Sequence, residues 1–147
     1  MKPFALTTVL RHRKNLEEQA IYSLVKAREA EQEAQRQVQE EEAILASLLE
    51  TFSKEQAMGI EVVKLAQFEQ RIDLIEEQVA AAKLLLQLKK TDVNRAQNFL
   101  ISKSKDRKIM ETLQQKQDDS WQQHLNQKET ATLDEIAVIF HIDKNKE

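Results

Sequence analysis

Few side chains of this sequence are of a type and spacing that could perform chemistry. The three histidines, His12, His124 and His141, have neither metal-ligand spacing nor an HExxH pattern, so we interpret them as surface residues. Acidic residues are plentiful, as in the run 40–42, but without a pocket such a run is the solvated face of a helix. Cysteine is absent, which removes thiolate chemistry and disulfides. We therefore predict no catalytic and no metal-binding residues.

Glycine is equally informative, because Gly59 is the only one in the sequence. A phosphate-binding P-loop and a dinucleotide fingerprint each need several glycines, since the backbone must approach the phosphates closely. A GxSxG nucleophile elbow also needs more than one. The chain is therefore predicted not to be an enzyme, to hydrolyse no nucleotide itself and to bind no cofactor.

The elements left to this chain are long helices. Glycine and proline mark turns and helix ends, and the only proline, Pro3, stands where it suits the first turn of a helix. The sequence is 32% charged and 5% aromatic, which is typical of a coiled coil. We predict a helix over 4–57, a bend over 58–61, a helix over 62–130 and, from the capping box that begins at Thr132, a short helix over 132–140.

Each long helix carries an apolar stripe at heptad spacing, which predicts that the two pack together as a coiled coil. The first stripe comprises Ala20, Leu24, Ala27, Glu31, Ala34, Val38, Glu41, Leu45, Leu48 and Phe52. The second comprises Leu65, Phe68, Ile72, Ile75, Val79, Ala82, Leu86, Lys89, Val93, Ala96 and Leu100. Only Glu31, Glu41 and Lys89 depart from apolar character.

A bend near Gly59 folds the two helices back on each other, with residue i opposite about residue 118 − i. The first helix is then used up near Leu113, and at ~1.5 Å per residue the paired part is a rod roughly 75–80 Å long. The predicted fold is all-α, a long antiparallel two-helix coiled-coil hairpin with a C-terminal single-helix overhang. It forms a single elongated domain over 1–147.

The overall charge excludes some partners and compartments. A net charge of −3 predicts no general attraction to nucleic acid or to an anionic membrane. The apolar stretch 4–10 is too short for a signal peptide, and no run approaches the roughly 18 apolar residues of a transmembrane helix. We expect a soluble, cytoplasmic chain with no transmembrane segment.

Positive charge gathers at the free end of the predicted hairpin, where we define a basic collar. The collar consists of Arg11, Arg13, Lys14, Lys103, Lys105, Arg107 and Lys108. Like charges this close repel one another, so an acidic partner surface is one interpretation. A solvated basic face with scattered ion pairs is the other.

The predicted overhang carries large apolar side chains with no intramolecular partner left to cover them. Leu133, Ile136 and Phe140 are the candidate anchors of this segment. Exposed apolar residues on one helix favour binding to a groove on another protein. The alternatives are that the segment packs on the end of the hairpin itself or is disordered.

Over nearly its whole length the chain resembles the flagellar export protein FliJ family. The similar parts at the start are Lys2-Pro3-Phe4, Leu6, Val9-Leu10, Arg13, Glu17-Glu18 and Ala20, followed by the Gly59-Ile60 bend. The similar parts near the end are Lys105-Asp106-Arg107-Lys108, Leu113, Lys116 and Leu133-Asp134-Glu135-Ile136-Ala137. Order, spacing and total length together carry the resemblance.

This resemblance implies a soluble component of the bacterial flagellar type III export apparatus, which serves flagellum biogenesis, motility and chemotaxis. It implies a coiled coil similar to the central stalk of rotary ATP synthases. The end that bears both termini would enter the pore of the hexameric export ATPase, FliI, and promote its assembly and activity. The basic collar and the three apolar anchors are the residues expected at that contact.

The resemblance also implies contact with the cytoplasmic domain of the export gate protein, FlhA, and escort of export chaperones. By position, the gate contacts fall near Gln37, Glu41, Ile44, Leu48, Ile75 and Gln78. The implied location is the cytoplasm, peripherally associated with the inner face of the cell membrane at the export apparatus. The free protein is expected to be a monomer.

Three other interpretations remain open. The chain could be the equivalent stalk of a virulence injectisome, which sequence physics does not separate from the flagellar one. It could be a homodimeric coiled-coil spacer or scaffold that pairs between molecules. A nucleic-acid binder is the third, but no aromatic residue interleaves the basic charges for stacking on bases.

Overall fold

The computed structural model describes residues 6–145, and these form two long helices. Helix α1 spans Thr7–Met58 and helix α2 spans Val62–Asn145. No strand is present within residues 6–145. Residues 4 and 5, where we predict the first helix to begin, lie outside the described residues. Long helices follow from the near absence of glycine and proline between positions 6 and 145.

The two helices are joined by three non-helical residues, 59–61. Gly59 has a φ of +89°, a backbone conformation that side chains with a Cβ rarely adopt. Its N–H donates to the carbonyl oxygen of Gln56 over 3.2 Å, which satisfies one of the acceptors left at the end of α1. Gly59 therefore acts as the residue that ends α1 and turns the chain.

The chain forms two compact units, and both helices contribute to each of them. The body unit comprises Glu18–Ile101, and the terminal unit comprises Met1–Glu17 with Ser102–Glu147. In the body unit, every residue of the two predicted heptad stripes is buried or half-buried, including the three charged ones. The predicted coiled-coil seam is therefore the core of this unit.

The core of the body unit is a row of small clusters between the two helices. One joins Ala34 and Val38 of α1 to Ala82 and Leu86 of α2. A second is built of Leu48, Ile75 and Val79, with Leu45, Phe68 and Ile72 packed against it. Near the bend, the rings of Phe52 and Phe68 lie with their centroids 5.1 Å apart.

These contacts give a register in which residue i of α1 lies opposite about residue 120 − i of α2. The predicted value of 118 − i was wrong by two residues. It assumed that the bend is centred on Gly59, whereas Gly59 ends α1 and the midpoint of the three-residue connection is Ile60. Because the second helix runs back along the first, a shift of one residue in the midpoint moves the register by two.

The corrected register explains two of the three charges in the seam. Glu31 of α1 and Lys89 of α2 are the half-buried charged positions that it places opposite each other. A single pair of opposite charges within an apolar seam favours one register over its neighbours. Outside the seam, Lys83 and Glu42 pair across the helices at 3.3 Å, which supports the same alignment.

The terminal unit has a smaller apolar core. Leu10 of α1 and Met110 of α2 are both buried and form its cluster. From Gln122 to Asn145, every residue of α2 is exposed. Within the described part of the chain, these last residues are therefore not covered by α1.

The predicted break in the second helix before position 132 is absent. Helix α2 continues through this region to Asn145, and the Thr132 hydroxyl donates to the carbonyl oxygen of Lys128 over 2.9 Å. The hydroxyl is therefore bonded one turn back along an unbroken helix rather than capping a new one. Capping-box residues do not end a helix whose neighbours are all compatible with helical backbone.

Leu86 and Leu84 provide a matched test of the seam. Leu86 is 9% exposed in the core, whereas Leu84, on the same helix, is 64% exposed. Leu86→Ala should lower the free energy of unfolding by about 2–4 kcal/mol through lost burial and an incompletely refilled cavity. Leu84→Ala should change it by less than about 0.5 kcal/mol. Urea unfolding followed by circular dichroism measures both, and equal losses would contradict the proposed core.

Gly59 tests the bend separately from the seam. A Cβ at this position would meet no atom within 4 Å, so any loss in Gly59→Ala comes from the backbone conformation rather than from a clash. We expect Gly59→Ala to lower the free energy of unfolding by about 1 kcal/mol. Gly59→Asn should lose less, because asparagine tolerates left-handed backbone. An alanine variant as stable as the parent would show that the positive φ is not required.

Candidate functional site

The basic collar divides into side chains that face the other helix and side chains that face solvent. Arg107 of α2 lies between two carboxylates of the terminal unit. Its Nε donates to Oε2 of Glu17 on α1 over 2.9 Å, and its Nη1 donates to Oε2 of Glu111 over 2.7 Å. The Arg107 and Glu17 side chains are only 22% and 16% exposed. Water and salt therefore screen this pair less than they screen the surface ion pairs of the chain.

The electrostatics of Glu17 follow from this contact. The hydrogen bond from Arg107 is the main reason why the pKa of the Glu17 carboxyl lies below its ordinary value, and a hydrogen bond from Ser104 acts in the same direction. Glu17 and Glu111 together offset the positive charge of Arg107. The Arg107 guanidinium is thus a link between α1 and α2 within the terminal unit.

Arg13 makes a second link between the helices. Its Nη1 donates to the backbone carbonyl oxygen of Asp106 over 2.9 Å, and the side chain is half-buried. A carbonyl inside a helix is already an acceptor for its own ladder, and oxygen has a second lone pair for such a donor. Sequence reasoning does not find either link, because no pattern within α1 or α2 records which residue lies opposite.

Four other members of the collar face solvent. Arg11, Lys14, Lys105 and Lys108 are exposed, whereas Lys103 is half-buried. The terminal unit therefore offers cations to a partner, but from a smaller set than the sequence indicates.

The structure adds an apolar surface to these cations. Ile109 and Leu113 are 55% and 43% exposed, and they lie in a shallow pocket of about 490 Å³ whose rim includes Lys105, Lys108 and Lys116. Ile109, Met110 and Leu113 are apolar residues close together in the sequence. Only Met110 faces α1, so Ile109 and Leu113 are surface residues that the stripe pattern alone does not separate from it.

The three candidate anchors lie further along the same helix. Leu133, Ile136 and Phe140 are 60%, 43% and 68% exposed. Their spacing of three and four residues places them on one side of α2. Large apolar side chains at this exposure are what a helix that binds in a groove presents before it meets its partner.

The candidate gate contacts are divided between surface and core of the body unit. Gln37, Ile44 and Gln78 are exposed, whereas Leu48 and Ile75 are buried in one core cluster. Glu41 is half-buried, and its Oε2 is buried without a hydrogen-bond partner among the described residues. Ile75 lies between α1 and α2, so its side chain is not on a surface that a partner can reach.

Ile44 and Leu48 belong to a groove between the two helices of the body unit. The groove has a volume of about 480 Å³ and is lined by Ala43, Ile44, Ser47, Leu48, Thr51, Phe68 and Arg71. Phe68 and Arg71 also line the next pocket toward the bend, together with Glu55, Lys64 and Gln67. Arg71 and Phe68 line this groove and are not among the candidate gate contacts.

Neither a metal site nor a membrane-spanning helix is found within residues 6–145. Among residues 6–145, no group of three or more histidine, aspartate or glutamate side chains is arranged to hold a metal ion. In the same part of the chain, neither helix has a stretch that is both long and apolar enough for a membrane span. The surfaces described above are exposed apolar side chains bordered by charges, which is the chemistry of contact with other macromolecules.

A two-helix antiparallel pair with exposed apolar and basic surfaces defines an interaction protein of the coiled-coil class. The sequence model of a family described as "Flagellar FliJ protein" matches residues 1–146, and the chain belongs to this family. The protein is accordingly a component of the flagellar export apparatus, within a family whose part in that apparatus is non-catalytic. No curated protein and no solved structure matches the chain.

The Arg107–Glu17 link predicts a pH-dependent contribution to stability. Because the folded-state pKa of Glu17 is depressed, its contribution is present above the ordinary carboxyl pKa of about 4.5 and is lost as pH falls through the lower folded value. Glu17→Gln should therefore lower the urea midpoint at pH 7, and the difference from the parent should be smaller at about pH 2, because acid protonates the Glu17 carboxylate and removes its ion pair with Arg107. The neighbouring Glu18 is exposed, so Glu18→Gln is the matched control and should leave the midpoint unchanged at both pH values.

Proposed function

We propose that this chain is the stalk of the flagellar export ATPase, entering the pore of the FliI hexamer with its terminal unit and promoting ring assembly and activity. The observation that carries the proposal is the surface of the terminal unit. Exposed apolar side chains from Ile109 to Phe140 and exposed cations from Arg11 to Lys108 occur together there. We further propose that residues 122–145 project as a single-helix overhang.

The exposed apolar residues support a protein partner rather than solvent alone. Within the described residues, nothing in α1 covers positions 122–145. Burying these side chains in a partner's groove would stabilise the complex by about 25 cal/mol for each Å² of apolar surface removed from water. A pore formed by several subunits is one kind of groove that can surround a helix on more than one side.

The cations suit the same partner in a different way. Arg11, Lys14, Lys105 and Lys108 are exposed, so they attract an acidic surface at a distance and help to orient the approach. Arg13 and Arg107 are already engaged between α1 and α2. We assign these two collar residues to holding the terminal unit together. We assign the other five collar residues, which are the four exposed cations and Lys103, to contact with the ATPase.

The mechanism follows from symmetry. A ring of identical subunits has equivalent nucleotide sites, and one asymmetric helix pair in its pore makes those sites inequivalent. The stalk can bias the nucleotide states only through contacts that differ between them. Its contribution is therefore binding energy that depends on the conformation of the subunit it touches, and no bond is made or broken by its own side chains.

The body unit is the part of the chain that we assign to the export gate. We propose that it contacts the cytoplasmic domain of the gate protein, FlhA, through the exposed Gln37, Ile44 and Gln78 and the half-buried Glu41. Support comes from the groove that Ile44 and Leu48 line. Escort of export chaperones, a monomeric free state and peripheral association with the membrane at the export apparatus complete the proposed role.

The test is the turnover of the purified export ATPase with and without this chain. The double variant Arg11→Glu and Lys105→Glu reverses two exposed charges of the collar and should reduce the stimulation of ATP hydrolysis by about fivefold or more. Helicity should stay unchanged, since both side chains are exposed. Leu133→Asp with Phe140→Asp should reduce stimulation similarly, because a charge cannot enter an apolar groove without a partner.

A double variant in the body unit is the matched control. Lys26→Glu with Lys90→Glu changes the same number of charges at exposed positions outside the collar. It should leave stimulation within about twofold of the parent value. If the collar and control variants stimulate equally well, the terminal unit is not the surface that meets the ATPase.

A further inference from the structure

The groove of the body unit combines an apolar lining with one positive charge. Ile44 and Leu48 of α1 and Phe68 of α2 supply its apolar side chains, while Ser47 and Thr51 supply hydroxyl groups. Arg71 is the only charged side chain among its lining residues. Arg71 is exposed, so a partner can reach its guanidinium, and a partner that covers the groove and excludes water would strengthen the attraction of this guanidinium for a carboxylate.

Arg71 has no carboxylate partner within the described residues. No acidic oxygen among residues 6–145 lies within 4.0 Å of its guanidinium nitrogens. The sequence gives the reason. The residues one helical turn before and after it are Gln67, Phe68, Leu74 and Ile75, none of which is acidic.

Three other arginines, two on α2 and one on α1, do have carboxylate partners. Arg36 pairs with Glu33 and Glu40 on its own helix, and Arg95 has Asp92 one turn away. Arg107 pairs with Glu17 across the helices. Each of these has an acid at helical spacing or on the facing helix. Arg11 and Arg28 also lack an ion pair among residues 6–145, so what sets Arg71 apart is that it lines a groove together with Ile44 and Phe68.

The neighbouring pocket toward the bend has the same balance of charge. It is lined by the cations Arg71 and Lys64 and by one acid, Glu55. Glu55 and Lys64 are not within ion-pair distance of Arg71 or of each other in the described structure. Arg71 lines both pockets, so together the two adjoining pockets carry two positive side chains, Arg71 and Lys64, and one negative side chain, Glu55.

We propose that this groove binds a protein segment that places an apolar side chain against Phe68 and Ile44 and a carboxylate against Arg71. The partner is thus an acidic, apolar segment, and Arg71 is the residue that selects it by charge. This inference rests on the proposed contact with the export gate and names the chemistry of the gate segment that the groove accepts. Arginine suits this role because its planar fork matches both oxygens of a carboxylate.

A protein carboxylate fits the groove better than a phosphate-bearing partner does. Nucleic acid and anionic lipid surfaces are bound by several clustered cations whose contributions add. Here two cations and one acid line the two pockets, and the chain as a whole has a net charge of −3. A single cation beside apolar side chains is instead suited to binding one acidic side chain.

The experiment is a binding titration of the full-length chain against the purified cytoplasmic domain of the gate protein. Arg71→Glu should weaken the affinity by about tenfold or more, because it places like charges together in a partly desolvated contact. Lys90→Glu makes the same charge change on an exposed part of α2 outside the groove and should weaken it by less than about twofold. Circular dichroism should show equal helicity for the parent and both variants.

Arg71→Lys gives an independent chemical readout. It keeps the positive charge and introduces a primary amine, which a carbodiimide joins to a nearby carboxylate as an amide with loss of water. The reagent should link position 71 of this variant to an acidic residue of the gate domain, as identified by mass spectrometry of the cross-linked peptide. The Arg71 parent has no amine there and serves as the blank.

The outcomes separate the two levels of the proposal. Loss of binding in Arg71→Glu together with a cross-link in Arg71→Lys supports the groove as a carboxylate-reading site. Parent-like binding by Arg71→Glu, or no cross-link from position 71, overturns that inference while leaving the gate contact in place. Absence of binding by the parent chain overturns both the gate contact and the inference that depends on it.

Discussion

The packing of one apolar stripe against another, around a bend centred on Ile60, is the constraint on which the structure depends. Only a single row of side chains separates α1 from α2, so the bend midpoint decides which residues meet. It brings Phe52 to Phe68 in the body unit and Leu10 to Met110 in the terminal unit. Because the core has no second layer, most residues outside it remain at the surface, and the partner surfaces are built mainly from them.

This constraint also sorts the charged side chains. A cation whose position in the register faces an acid becomes part of the fold, as Arg107 does with Glu17. A cation that faces uncharged side chains, as Arg71 does, keeps its capacity to bind something else. The same residue type therefore stabilises the helix pair at one place and is available for recognition at another. The difference lies in what the opposite helix supplies and not in the arginine itself.

The two units offer different surfaces, and each is complete in itself. The terminal unit combines exposed aliphatic side chains with lysines around Ile109 and Leu113. The body unit has a groove with an aromatic floor and one arginine. The proposed link between an ATPase and a gate requires two surfaces that do not compete for the same residues. That requirement is compatible with a chain of two helices only if the seam leaves enough side chains uncovered, as it does here.

The two helices, the bend and the identity of the seam residues could all be predicted from the amino-acid order. Heptad spacing and the conformational freedom of Gly59 are local properties, and they need no knowledge of the partner helix. The two-residue shift of the register, the inward orientation of Arg13 and Arg107 and the groove at Arg71 could not be predicted in that way. They depend on which residue lies across the interface, and a one-residue change in the turn midpoint alters that for every position. The tertiary structure alone decided these features, because side chains as far apart in the sequence as Leu10 and Met110 meet only after the chain has turned back on itself.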